Sequence, residues 1–75
     1  MGVTEDLADA LARDTIAAMD KIDDEDFSAK VAKELGATST TMEEAYMTAM
    51  RVRLAEKRAR DFLKKQLREA VAAQK

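Results

Sequence analysis

The chain has 75 residues, with no cysteine, histidine or proline, and its net charge of −2 hides a division by position. Residues 1–50 carry twelve acids against four bases, and residues 51–75 carry nine bases against three acids. One small domain is expected, burying only about 60% of its unfolded surface, without disulfides or thiol chemistry and with only carboxylates as metal ligands.

Catalysis has little to stand on. Besides the missing His and Cys there is no glycine-rich phosphate loop and no G-x-S-x-G sequence. The expectation is a protein that is not an enzyme, carries no cofactor and works by binding. Alanine, leucine, glutamate, lysine and arginine dominate, all good helix formers. The fold class read from this composition is all-α. No run approaches the ~20 apolar residues of a membrane span. The start, Met1-Gly2-Val3-Thr4-Glu5-Asp6, is acidic where a signal peptide is basic. The expected compartment is the cytoplasm.

The first predicted helix covers about 5–21. Thr4 is placed as its N-cap, with Glu5 and Asp6 at the positive end of the dipole. Leu7, Leu11, Thr15, Ala18, Met19 and Ile22 recur at helical spacing and define its apolar face. Ile16 falls on the opposite side, either exposed or in a second contact. Asp23-Asp24-Glu25-Asp26 would repel one another inside a helix but suit a helix start. The second predicted helix runs from about 24 to 35, with Phe27, Val31 and Leu35 along its apolar line. The acidic run lacks the glycine and distal glutamate of a calcium loop, so it reads as capping. Gly36 stands where a left-handed residue closes a helix.

Thr40 with Glu43, or Thr41 with Glu44, would form a capping box for a third helix over about 41–72. No breaker follows. At 1.5 Å per residue that helix is on the order of 48 Å long. Between 42 and 54 its apolar residues point almost all round, so this part should be covered on several sides. Met42, Met47 and Met50 read as core there, although methionine also suits adaptable binding surfaces. Beyond 54 the helix has two faces. Val52, Ala55, Ala59, Phe62, Leu63 and Ala70 form an apolar arc, and Arg53, Lys57, Arg60, Lys64 and Arg68 form a basic stripe.

Residues 28–47, SAKVAKELGATSTTMEEAYM, place Val31, Leu35, Ala37, Met42 and Ala45 at the fourth, eighth, tenth, fifteenth and eighteenth positions, with Ala32 fifth and Gly36 ninth. This resembles the twenty-residue helix-turn-helix pattern of DNA-binding regulators. In that pattern the small fifth residue lets two helices approach, glycine takes the positive φ of the turn, and Thr38 or Ser39 caps the next helix. The resemblance spans about 20 of the 75 residues. It implies a helix-turn-helix-like corner between helices 2 and 3, and nucleic-acid contact through Ser39, Thr40, Arg51, Arg53 and Lys57. The charges oppose that function. The helix that would enter the groove begins Ser39-Thr40-Thr41-Met42-Glu43-Glu44 and has no base before Arg51, whereas phosphate attraction requires basic side chains.

The basic stripe itself has three readings: contact with phosphates or an anionic membrane surface, a solvated face near the negative end of the helix dipole, or neutralisation by the acidic first half. No aromatic is interleaved except Phe62, on the apolar side, and the last two readings are preferred. Two packings satisfy the helix lengths. Both short helices can lie along the long one, with the acidic helix covering the basic half. Alternatively the three helices pack around 42–54, leaving 55–75 as a projecting basic amphipathic helix that needs a partner, most cheaply a second copy. The second is favoured because the apolar arc continues to Ala73. The expected function is therefore a small helical interaction or adaptor module, self-associating as a homodimer through Val52, Ala55, Ala59, Phe62, Leu63 and Ala70. The alternative is a small helix-turn-helix DNA-binding regulator.

Overall fold

A computed structural model of the chain describes residues 2–74. Three helices account for most of it: α1 (Val3–Met19), α2 (Phe27–Gly36) and α3 (Thr40–Ala73), with no strand among the described residues. The fold is all-α, two short helices packed on one long C-terminal helix.

Each helix start departs from its expected position for a local reason. α1 begins two residues before the expected start. Its first turn is closed by the Glu5 carboxylate, which accepts a hydrogen bond from the Gly2 backbone N–H at 3.1 Å, so Gly2 rather than Thr4 is the N-cap. α2 begins at Phe27, three residues later than expected, because Asp24 organises a turn instead of entering the helix. One of its carboxylate oxygens accepts from the Asp26 N–H at 2.9 Å, and the other meets Lys30 Nζ at 2.6 Å. α3 is capped by Ser39, whose Oγ accepts from the Met42 N–H at 3.0 Å. Ser39 thus takes the capping role ahead of Thr40 and Thr41.

The expected left-handed glycine is also corrected. No described residue has positive φ, and Gly36 is the last residue of α2. What the missing side chain allows is a close approach. A Cβ on Gly36 would stand 2.7 Å from the Glu43 carboxyl carbon.

The core lies where α1 and α2 meet the first half of α3. Ala8, Ala12, Ala32, Tyr46 and Met50 are buried, with Thr15 beside them. Leu11, Ile16, Met19, Val31, Leu35, Met42, Ala45, Ala49 and Leu54 pack partly buried around them. The buried face of α1 is therefore Ala8, Ala12 and Thr15, flanked by half-buried Leu11 and Met19, and it is rotated by roughly 50° from the expected leucine face at 100° per residue. Leu7 and Ile22 are exposed instead. Small residues on α1 bring its backbone near α3, and the space is filled by Tyr46, the one large side chain that is fully buried among the described residues. The Tyr46 hydroxyl donates to the Ser28 carbonyl at 3.2 Å, and the Thr15 hydroxyl to the Leu11 carbonyl at 2.8 Å. Among the described residues no buried side-chain nitrogen or oxygen lacks a partner. Of the three methionines placed in the core from sequence, Met50 is buried, Met42 half-buried and Met47 exposed.

The molecule is elongated, 56 × 32 × 13 Å, with a radius of gyration of 16.0 Å. A compact chain of this length would have about 11 Å. The excess comes from α3, whose 34 residues extend about 51 Å at 1.5 Å per residue.

Candidate interaction surface

α3 changes character where the other two helices stop covering it. Tyr46 and Met50 face them, and Arg53 and Leu54 are still half-buried. From Ala55 to Gln74 every described residue is exposed. That is about 30 Å of exposed helix, of which only the first turns, through Glu56, Lys57, Arg58 and Asp61, border grooves beside α1.

The uncovered half is not uniformly polar. Val52 is 63% exposed, Phe62 64%, Leu63 61%, Leu67 63% and Val71 50%. Ala55, Ala59 and Ala70 are exposed as well, and with Val52, Phe62 and Leu63 they form one broad face at 100° per residue. All six residues singled out from sequence thus lie together on a solvent-facing side of one helix. Leu67 and Val71 extend that surface and were missed by the sequence reading. Their signal was the i, i+4, i+8 line from Leu63, which drifts off the edge of an arc drawn through the alanines.

The basic residues are partly engaged within the chain. Arg53 grips Asp9 with two hydrogen bonds, Nε to Oδ1 at 2.6 Å and Nη2 to Oδ2 at 2.8 Å. The hydrogen bond and then the nearby positive charge hold the Asp9 carboxyl below its ordinary range, and Asp9 in turn raises Arg53. Lys57 is 3.7 Å from Asp61, and Arg60 bonds to Glu56 one turn earlier. Such exposed pairs add little stability each, but they fix where these cations sit.

The five residues tied to nucleic-acid contact do not form a cluster. The Ser39 hydroxyl is occupied by its cap, and Thr40 is exposed on the first turn of α3. Arg51 lines a groove on the α2 side, Arg53 is bound to Asp9 on the α1 side, and Lys57 follows one turn on. Thr40 and Lys57 are about 26 Å apart along the helix.

Grooves flank α3 on the sides of both short helices, among them one of about 310 Å³ between Ile16, Met19 and Asp20 of α1 and Leu54, Lys57, Arg58 and Asp61 of α3, and two larger ones. The larger, about 660 Å³, has Ala29, Ala32 and Gly36 of α2 on one wall and Met47, Met50 and Leu54 of α3 on the other. The smaller lies between α1 and α3, with Ile16 and Val52 among its apolar walls and Asp9, Arg13, Glu56 and Lys57 at its edges. Among the described residues there is no group of three or more metal-ligating side chains, and no helix is long and apolar enough to cross a membrane. No family model, curated protein or solved structure matches the chain.

Proposed function

We propose that the protein is a small helical interaction module that associates with itself through the C-terminal half of α3. The observation that carries this reading is the exposure of Val52, Phe62, Leu63, Leu67 and Val71, four of them on the stretch of α3 from Ala55 onward where every described residue is exposed. Fully burying a large apolar side chain is worth about 1.5–3 kcal/mol. Val52, Leu63 and Leu67 lie within about 60° of one another at 100° per residue and are about 60% open, so six of them in a pair offer on the order of 5–11 kcal/mol. Association costs about 4–15 kcal/mol in lost freedom, so the sum supports a reversible dimer. The small core of each chain adds a reason to pair.

Sedimentation across a range of concentrations tests this. A dimer is expected, and the exposed pair of substitutions Leu63→Lys and Leu67→Lys should convert it to a folded monomer. A wild-type chain that is monomeric at micromolar concentration and unfolds cooperatively there would refute it.

The second reading, a helix-turn-helix DNA-binding regulator, rests on the pattern at residues 28–47. Against it stand Glu43 and Glu44 at the start of α3 and the engagement of Arg53 by Asp9. A gel shift with bulk DNA separates the two. The module should give no shift at physiological salt. The regulator should bind, and lose binding on Arg51→Ala or Arg53→Ala.

A further inference from the structure

On the basic stripe, the acidic first half of the chain supplies a counter-ion only to Arg53, through Asp9. Lys57 and Arg60 pair with Asp61 and Glu56 of α3 itself. Arg58, Lys64, Lys65 and Arg68 make no ion pair among the described residues. Neutralisation by the first half, one of the two readings preferred from sequence, does not account for these four.

Their placement around the helix is ordered. At about 100° per residue, Phe62, Leu63, Leu67, Ala70 and Val71 spread over roughly one half of the circumference of α3. Lys57, Arg58, Lys64, Lys65 and Arg68 fall within about 120° of the other half. Lys64 borders the apolar half next to Val71, and Arg58 borders it next to Phe62. All of these residues are exposed. Arg60 is the exception, on the apolar half and bonded to Glu56. Tyr46, Met50 and Leu54 belong to the core and point into the cationic sector, so α1 and α2 sit away from the middle of the apolar half. Ten of the twelve acids among residues 1–50 belong to α1, α2 and the turn between them.

We infer that the distal half of α3 is an interfacial helix that lies on an anionic lipid surface, with its apolar half inward and its cationic sector toward water. This goes beyond the self-association proposed above and does not depend on it. Both use the same apolar side chains, so lipid and a second copy exclude one another. A helix of this kind buries its apolar face about 5–10 Å deep. The edges of that face then stand near the headgroup phosphates, where Lys and Arg reach anions while their stems stay along apolar surface. Cations at both edges suit a flat surface, which meets both at once. Nucleic-acid phosphates would engage the cations but leave Phe62, Leu63, Leu67 and Val71 in water. The division of charge also orients the molecule, since most of the acids are carried on the helices turned away from the lipid.

The chain has no tryptophan, so Phe62→Trp provides a single fluorescent reporter at an exposed position. Vesicles of equimolar phosphatidylglycerol and phosphatidylcholine should bind the wild type at least ten-fold more tightly in co-sedimentation than vesicles of phosphatidylcholine alone. They should also shift the emission of Phe62→Trp to the blue. Binding should weaken several-fold from low to high salt, because the headgroup attraction is screened. Lys64→Glu combined with Lys65→Glu leaves the apolar half intact. It should lose at least ten-fold in affinity for the anionic vesicles, while keeping its helices by circular dichroism and the wild-type mass in sedimentation without lipid. Equal affinity for the two vesicle types, or none for the anionic ones, would overturn the inference. Retention of bulk DNA by a chain that ignores anionic vesicles would overturn it as well. A wild-type monomer in sedimentation without lipid would instead refute self-association and leave the lipid contact standing.

Discussion

Tyr46 is the side chain on which this small core depends most. It is 1% exposed and sits where α1, α2 and α3 converge, against alanines that cannot fill its place. Tyr46→Ala should therefore leave a void, at a cost of about 3–5 kcal/mol for a large aromatic truncated to alanine. A domain of this length has a total stability of about 4–11 kcal/mol at the usual 0.05–0.15 kcal/mol per residue, so the variant loses between about a quarter and all of it. Tyr46→Phe keeps the ring and removes only the hydrogen bond to the Ser28 carbonyl. That bond contributes about 0.5–1.5 kcal/mol net. Urea unfolding followed by far-UV circular dichroism measures both. Protein concentration must be held fixed, because the proposed self-association would make stability concentration-dependent. Tyr46→Ala within about 1 kcal/mol of the wild type would show that the three helices do not converge on this residue. A Phe variant as damaged as the Ala variant would show that the hydroxyl, not ring burial, dominates.

Three further outcomes follow from local geometry. Ser39→Ala removes the cap of α3 and should cost about 0.5–2 kcal/mol, read as a lower urea midpoint, whereas Thr40→Ala should change little. Gly36→Ala should be neutral or raise stability by up to about 1 kcal/mol, since its φ is not positive and the group in the way is the mobile carboxyl end of Glu43; a clear loss would mean the glycine has the left-handed conformation after all. The Asp9 carboxyl is held below its ordinary value of 3.8, first by the Arg53 hydrogen bond. A depressed folded value gives stability that is present above the unfolded pKa and lost as pH falls through the folded one. Asp9→Asn should therefore flatten the fall in melting temperature below about pH 4, and an unchanged acid limb would refute that assignment.

The helices themselves were legible because their punctuation is local. Glycine at 36, the hydroxyls at 38–41 and the lack of any breaker afterwards place α3 to within one residue at each end. The inward face of α1 was legible only in part: Leu11, Thr15 and Met19 do pack inward, but Leu7 is exposed while Ala8 and Ala12 are buried. Hydrophobicity favours Leu7 and Leu11 over Ala8 and Ala12, but the packing rewards the closest approach to a tyrosine on another helix, and that pairing is not encoded in the spacing of α1. The start of α2 was misplaced for a similar reason. An aspartate before a helix can cap it or fold back into its own turn, and the contact from Lys30 to Asp24 accompanies the second outcome. On α3 the apolar arc could be drawn from sequence because it is a property of one helix. Leu67 and Val71 fell outside it because an arc centred on the alanines follows the nearest approach of two backbones, while longer side chains reach contacts from farther round.

The length of α3 is what links these observations. A helix that only completed the core could stop near Leu54, since every described residue beyond that point is exposed. Instead it continues for about 30 Å, keeps its ion pairs at i, i+4 spacing through Glu56, Arg60, Lys57 and Asp61, and carries large apolar residues as far as Val71. Local helix propensity and these pairs explain why the segment stays helical, but they do not call for Phe62, Leu63, Leu67 and Val71, which are costly to leave in water. Those four side chains are what the proposed second copy would cover, while the basic residues Lys57, Lys64 and Arg68 continue the line of α3 that carries Tyr46 and Met50, on the side where α1 and α2 sit.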